Sequence, residues 1–221
     1  MDIIVGGGKY GCVAVECLRK NARGFVVVDK DPNCLATKRF RLKPAAQIGE
    51  EGEYFLEGDI PQVSELITRL KPEYVFPTAP VHVAAELVKS KFALAPWNEV
   101  IDCILANLPS SVVLQAGKGN LIVSYNRDKE CLERCDAPKV CPVSGKRKPC
   151  TMDKLMRFAY PEGLLLISYH LAPGSGALKG SELLELFAQA EKKDKFVVAT
   201  ACGCHGYFTA LKKKLHKTTE K

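Results

Sequence analysis

"DIIVGGGKYGCVAVECLRKNARGFVVVDKDP", residues 2–32, is the stretch that decides how the chain folds. Ile3 to Val5 form a short apolar run, Gly6, Gly8 and Gly11 supply the spacing G-x-G-x-x-G, and Val13, Val15 and Leu18 recur on a helical pattern. A second apolar run, "GFVVVD", ends in Asp29, 18 residues after Gly11. Strand, glycine turn, helix, strand and acid in this order are what a dinucleotide site requires. The glycines permit a tight turn and close approach of the backbone to a pyrophosphate. The helix N-terminus offers N–H groups to the anion, and the acid accepts from ribose hydroxyls. A carboxylate at Asp29 would repel a 2′-phosphate, which favours NAD over NADP, although Lys30, Lys38 and Arg39 stand close by as a counterweight. The competing reading keeps the glycines for helix-strand packing alone.

The cycle repeats over residues 53–80. Asp59 is suited to cap a helix with Gln62 reaching back, Pro61 lies in the first turn, and Val63, Leu66, Ile67 and Leu70 form an apolar face before the strand "EYVFPTAP". Taken together, "IIVGGGKYG", "VVVDKDP" and "EGDIPQVSEL" resemble the NAD-binding Rossmann domain of Trk-type potassium-transport regulators over roughly residues 2–80. That resemblance implies an α/β fold with a Rossmann-like parallel sheet. Carried over by position, it places Gly6, Gly8 and Gly11 at the pyrophosphate, Asp29 at the adenosine ribose and Asp59 near the adenine. The regulators continue into a ligand-binding domain or a channel, whereas this chain continues into a cysteine-rich segment, so potassium transport is not carried over. The whole chain also resembles a group of uncharacterised Rossmann proteins with a cysteine-rich second half, a likeness that implies architecture and no activity.

Helical patterning at 99–108 and a hairpin "VVLQAGKGNLIVSY", turning at Gly117 to Asn120, complete an expected dinucleotide-binding domain at 1–126. The remainder, 127–221, is expected to combine a cysteine-rich loop with further strand-loop-helix units. No apolar run approaches the ~20 residues that cross a bilayer, and no export signal is apparent, so direct membrane insertion is not expected and the expected location is cytoplasmic. Cytosolic thiols stay reduced, which directs the ten cysteines away from a disulfide framework. Cys12, Cys17, Cys34 and Cys103 read as small buried hydrophobes.

The other six are different. Cys131, Cys135, Cys141 and Cys150 lie in a Pro- and Lys-rich loop that has too little apolar content to order itself, and Cys202, Cys204 and His205 follow a strand in "VVATACGCHGYF", residues 197–208. A metal would order the loop. The spacing matches neither the paired C-x2-C of a zinc ribbon nor the C-x2-C-x2-C of a bacterial ferredoxin, so zinc, an iron-sulfur cluster and redox-active thiols without metal stay open. Lys139, Lys146, Arg147 and Lys148 would offset thiolate charge. Seven donors exceed the four of one closed site. The preferred arrangement takes three ligands from the loop and one from 202–205, with Cys150 the most dispensable.

Downstream, the sequence predicts a helix at 151–158, a strand "GLLLISYH", a glycine-rich turn through Gly174, Gly176 and Gly180, a helix "ELLELFAQAEK" and a strand "KFVVAT". If these units are parallel neighbours, His170, the glycines, Cys202, Cys204 and His205 line one crevice, with 202–205 at a helix N-terminus. The net charge of +7 sits partly in "GKRKP" and in the tail "KKKLHKTTEK", read as a helix end, and lacks interleaved aromatics, so nucleic acid is not an expected partner. No Ser/His/Asp order and no paired carboxylates identify a catalytic residue. The expectation is an NAD-binding redox protein with an iron-sulfur or other metal centre, an NAD-dependent oxidoreductase if it is an enzyme. Its expected partners are the dinucleotide, a second copy or a redox protein. The alternative is a nucleotide-sensing regulator with a structural zinc.

Overall fold

The structure, a computed structural model, describes residues 1–45, 47–49 and 51–214. The opening stretch forms β1 (Asp2–Val5), α1 (Lys9–Lys20) and β2 (Phe25–Asp29). There follow α2 (Leu35–Phe40), β3 (Glu53–Glu57), α3 (Ile60–Leu70), β4 (Tyr74–Pro77) and α4 (Val83–Lys91). The middle of the chain supplies β5 (Leu94–Pro96), α5 (Asn98–Ala106), β6 (Val113–Gly117) and β7 (Asn120–Ser124). After an irregular segment come α6 (Met152–Ala159), β8 (Leu164–Ile167), β9 (Tyr169–Ala172), β10 (Ser175–Lys179), α7 (Gly180–Lys192), β11 (Lys195–Ala201) and β12 (His205–Lys213).

The chain is α/β and builds two mixed sheets. The first has the order β3-β2-β1-β4-β10-β9, with β3, β2, β1 and β4 parallel and β10 and β9 added antiparallel. Its apolar residues alternate in direction. Ile4, Val27 and Phe55 face α1 and α2, while Ile3, Val5, Val26 and Val28 face α3, α4 and α7. Both faces are covered, which is why these strands read as continuous apolar runs. The second sheet has the order β6-β7-β12-β11-β8, with β5 on β12. One of its faces packs Val198 and Leu211 against the α3, α4 and α7 layer, and the other packs Val197, Ala199 and Phe208 against α5 and α6. No helix among the described residues is long and apolar enough to cross a membrane.

Three expectations need correction. The run "GLLLISYH" is two strands, because the chain leaves the second sheet at Ser168 and enters the first as β9; only β8 is the parallel neighbour of β11. Gly174 and Gly176 belong to the β9–β10 hairpin and not to a strand-to-helix turn; Gly174 turns the chain at φ +77° and β10 runs antiparallel along β4. His205 opens a strand and not a helix, since Tyr207, Phe208 and Thr209 suit the pleated surface between β7 and β11. Lys212 and Lys213 therefore end a strand, and residues 215–221 of the tail lie outside the described residues. In the second sheet lie β5, β6 and β7, while β9 and β10 return to the first.

One buried polar contact ties the middle layer to the second sheet. His82, at the head of α4, is 5% exposed, stacks on Tyr207 at 4.5 Å, and places Nδ1 2.7 Å from Thr209 Oγ1 and Nε2 3.1 Å from Thr200 Oγ1. Burial, assisted by the nearby Lys89 charge, pushes its imidazole down to about 3. The unfolded chain binds this proton near pH 6.5 and the folded chain does not, so the contribution is complete above that value and declines as the pH falls toward the folded value. Between pH 7 and pH 5 it should cost about 2 kcal/mol. Urea unfolding of His82→Gln at both pH values should show a correspondingly smaller acid loss than the parent. An equal loss in both proteins contradicts this assignment.

Candidate functional site

The carboxyl ends of β1, β2, β3 and β4 open into a cleft of about 700 Å³, lined by Gly6, Gly8, Asp29, Asp59, Thr78 and Lys89, among others. Gly6 has φ +104°, and a Cβ there would meet the backbone N of Ala79 at 2.9 Å. Gly11 does not line the cleft; it lies beneath, where a Cβ would collide with the carbonyl oxygen of Gly6. Gly8 is different again. It stands at the N-cap of α1 with open space where a Cβ would be. The first turn of α1 has neither a side-chain cap nor an acidic residue, so its N–H groups and the positive end of its dipole face the cleft uncompensated.

Two carboxylates frame the same opening. Asp29 accepts the Gly7 N–H on Oδ2 at 2.6 Å and the Asp31 N–H on Oδ1 at 2.9 Å, which fixes it at the end of β2. Asp59 caps α3, with Gln62 Oε1 accepting its backbone N–H at 2.9 Å, and pairs with Lys30 at 2.9 Å. The Lys30 ammonium, with the Ile60 N–H, holds the Asp59 carboxyl below the usual carboxylate range.

A second cavity, about 330 Å³, is lined by Cys131, Cys135, Cys141, Cys202, Cys204 and His205, together with His170, Gly174, Gly176 and Tyr10. The loop and the β11–β12 turn thus meet, with His170 on the wall between them. Cys150 is not part of this lining; its sulfur lies 3.7 Å from the Tyr125 hydroxyl. Residues 202–205 form a tight turn closed by the Cys202 N–H on the His205 carbonyl, so Cys202 and Cys204 both reach the cavity instead of diverging as an extended chain would make them. His205 bridges the two segments, with Nε2 3.2 Å from Cys131 Sγ and Nδ1 3.6 Å from Cys202 Sγ.

The four basic residues expected to offset thiolate charge do not act alike. Lys139, Lys146 and Arg147 are exposed, whereas Lys148 is 6% exposed and donates from Nζ to the Ala137 carbonyl at 2.8 Å and toward Cys204 Sγ at 3.0 Å. Burial pushes the Cys204 thiol up against the opposing effect of Lys148. Burial also acts on Cys202, but His205 and the N–H groups of Cys204 and His205 outweigh it and lower that thiol. Asn126 is a contact the sequence did not disclose: its Nδ2 donates to Cys131 Sγ at 3.2 Å. Among the described residues, no three Cys, His, Asp or Glu side chains converge on one ion-sized point. The sulfurs surround a volume.

The two cavities share no lining residue, but the head of α1 contributes to both: Gly8 lines one and Tyr10 the other. Between them, Lys9 pairs with Glu133 at 3.2 Å and Glu16 with Arg134 at 2.7 Å, which straps the cysteine loop onto this helix.

Two family descriptions cover the chain: "Uncharacterized protein, N-terminal domain" matches residues 1–83, and "Uncharacterized protein, C-terminal domain" matches residues 84–214. The chain is also similar to an "Uncharacterized protein" of Archaeoglobus fulgidus, 55% identical over 215 residues that span 96% of this chain and 100% of that one. No solved structure matches at a significant level. With both family descriptions and a relative of this identity along its length, the chain belongs to the AF_1314 family.

Proposed function

We propose that this chain is a dinucleotide-binding redox protein, with NAD in the glycine-loop cleft and a thiolate-held iron-sulfur centre in the crevice beside its nicotinamide end. The observation that carries this reading is that the first residues of α1 serve both cavities, Gly8 lining the cleft and Tyr10 the crevice. The parallel order β3-β2-β1-β4 supports a Rossmann-like site, in which adenosine lies over β1 and β2 and the second nucleotide crosses β4. Beyond β4 in this sheet come β10 and β9, which carry Gly176 and His170 on the wall of the cysteine crevice.

Each residue has a part set by its position. The free N–H groups of α1 hold the pyrophosphate, Gly8 lets it approach the backbone, and Asp29 accepts from the adenosine ribose. Leu132, Pro138, Pro142 and Val143 add apolar surface to the crevice wall. Five cysteines line this open volume with His170 and His205, a sulfur-rich set that supports a cluster over one zinc ion, whose four ligands must meet within about 2.3 Å of a point. Such a centre, when bound, supplies one-electron transfer. Balance with a two-electron nicotinamide then requires two centres or a one-electron partner protein, which is where a second copy or a redox partner enters.

Calorimetry with NAD+ and NADH on anaerobically purified protein tests the first half. Gly8→Val should lower affinity by at least about tenfold while leaving thermal stability nearly unchanged, because its side chain fills only the ligand's space. Gly11→Ala should instead lower stability, because its Cβ collides with the Gly6 carbonyl. Wild-type affinity in Gly8→Val overturns the cleft as a nucleotide site. The second half is tested by metal analysis and visible absorption of the same protein: iron with sulfide supports the redox reading. Stoichiometric zinc with tight nucleotide binding selects the regulatory alternative, and protein without metal overturns both.

A further inference from the structure

We propose that the free edge of β8 is a dimer interface, at which a second copy of this chain adds its own β8 antiparallel and the two α7 helices lie side by side. An edge strand presents unpaired N–H and C=O groups, and proteins blunt such edges with charge, proline, a bulge or a covering segment. The other edges here are blunted. β3 is covered by the residues before it, with the Ala45 N–H on the Phe55 carbonyl at 3.0 Å and the Phe55 N–H on the Lys43 carbonyl at 3.3 Å. β5 contains Pro96, β6 is bulged between Val113 and Gln115, and the β9–β10 ladder is broken between Ser175 and Gly176. β8 reads Leu-Leu-Leu-Ile and carries none of these devices.

β8 is paired on one side alone, parallel to β11. The Ser168 N–H bonds the Ala201 carbonyl at 2.7 Å, so by alternation the backbone of Leu166 also turns toward β11, while Leu165 and Ile167 turn theirs outward. The outward edge borders a groove of about 390 Å³, with Leu164 and Leu165 at its base, Arg157 on one wall and Glu182, Glu185 and Gln189 of α7 on the other.

The charges on α7 identify the occupant. Glu182, Glu185, Gln189 and Lys192 recur at helical spacing on one stripe, which is acidic toward the start of the helix and basic at its end. Glu182, Glu185 and Lys192 enter no ion pair among the described residues. Antiparallel packing of two copies makes this polarity self-complementary, because the acidic half of one α7 then runs along the basic end of the other. A two-fold axis through Leu166 sets Leu165 of one copy opposite Ile167 of the other, where each such pair exchanges both N–H···O bonds. β8 is short, so α7 supplies the rest of the contact. Ser168, the next residue, lines the cysteine crevice, so the pairing puts one crevice at each end of the interface.

Sedimentation velocity of the full chain across a dilution series reads the association. The wild type should be a dimer at micromolar concentration that weakens with added salt. Ile167→Pro removes an N–H that serves only the other copy, a change an edge strand tolerates. Glu185→Lys sets like charges against Lys192 of the other copy. Each variant should weaken dimerisation by at least about tenfold, with circular dichroism and thermal unfolding showing that both are folded. The double variant Glu185→Lys/Lys192→Glu should dimerise again, which a variant that merely misfolds would not do. A wild type that stays monomeric throughout, single variants that dissociate like the wild type, or a double variant no more dimeric than Glu185→Lys overturns the proposal. The measurement needs neither nucleotide nor metal, so its outcome is separate from the redox reading.

Discussion

The close approach of Gly11 to the carbonyl of Gly6 is the constraint on which the rest of this molecule depends. It brings α1 so near β1 that no Cβ fits between them, and so fixes where the head of the helix lies. That head contributes to both cavities, Gly8 to the cleft and Tyr10 to the crevice. The ion pairs from Lys9 and Glu16 to the cysteine loop start from the same helix. These pairs are exposed and each is worth at most about 1 kcal/mol, so they orient the loop more than they hold it.

What holds the loop is a small set of inward contacts. Cys141 and Lys148 are its buried members, and a bridge between Val140 and Arg147 closes the turn between them. Lys148 then reaches across to Cys204 in the β11–β12 turn and to Ala137 on the loop's other arm, and His205 reaches from that turn to Cys131. Little apolar area is involved. Most of the surrounding residues from Asp128 to Lys146 are exposed or half-buried.

The glycine turn, Asp29, the Asp59 cap and the α3 face were legible in the sequence because each is local: a period, a spacing or a cap within a dozen residues. The crevice itself was partly legible. His170, Cys202, Cys204 and His205 do share one cavity, although the strands that carry them are joined differently from the sequence expectation. β10 was not legible, because "SGALK" contains a glycine, follows another, and finds its partner at Val75, about a hundred positions earlier. Nor does sequence separate Lys148 from Lys146 or Arg147, or Cys141 from Cys150. In an irregular loop no period says which side chain turns inward, and only the fold of the whole chain places Ala137 and Cys204 around one of them.

Whether the nicotinamide half of a bound nucleotide enters the cysteine crevice is the question on which everything else rests. A crystal structure of anaerobically prepared protein with NAD+ measures it directly. The proposed function predicts the adenosine ribose on Asp29, the pyrophosphate at the head of α1 and the nicotinamide between Tyr10 and His170, facing the sulfurs. A nucleotide bound in the cleft with its nicotinamide turned away toward α3, or no nucleotide at all, would contradict it.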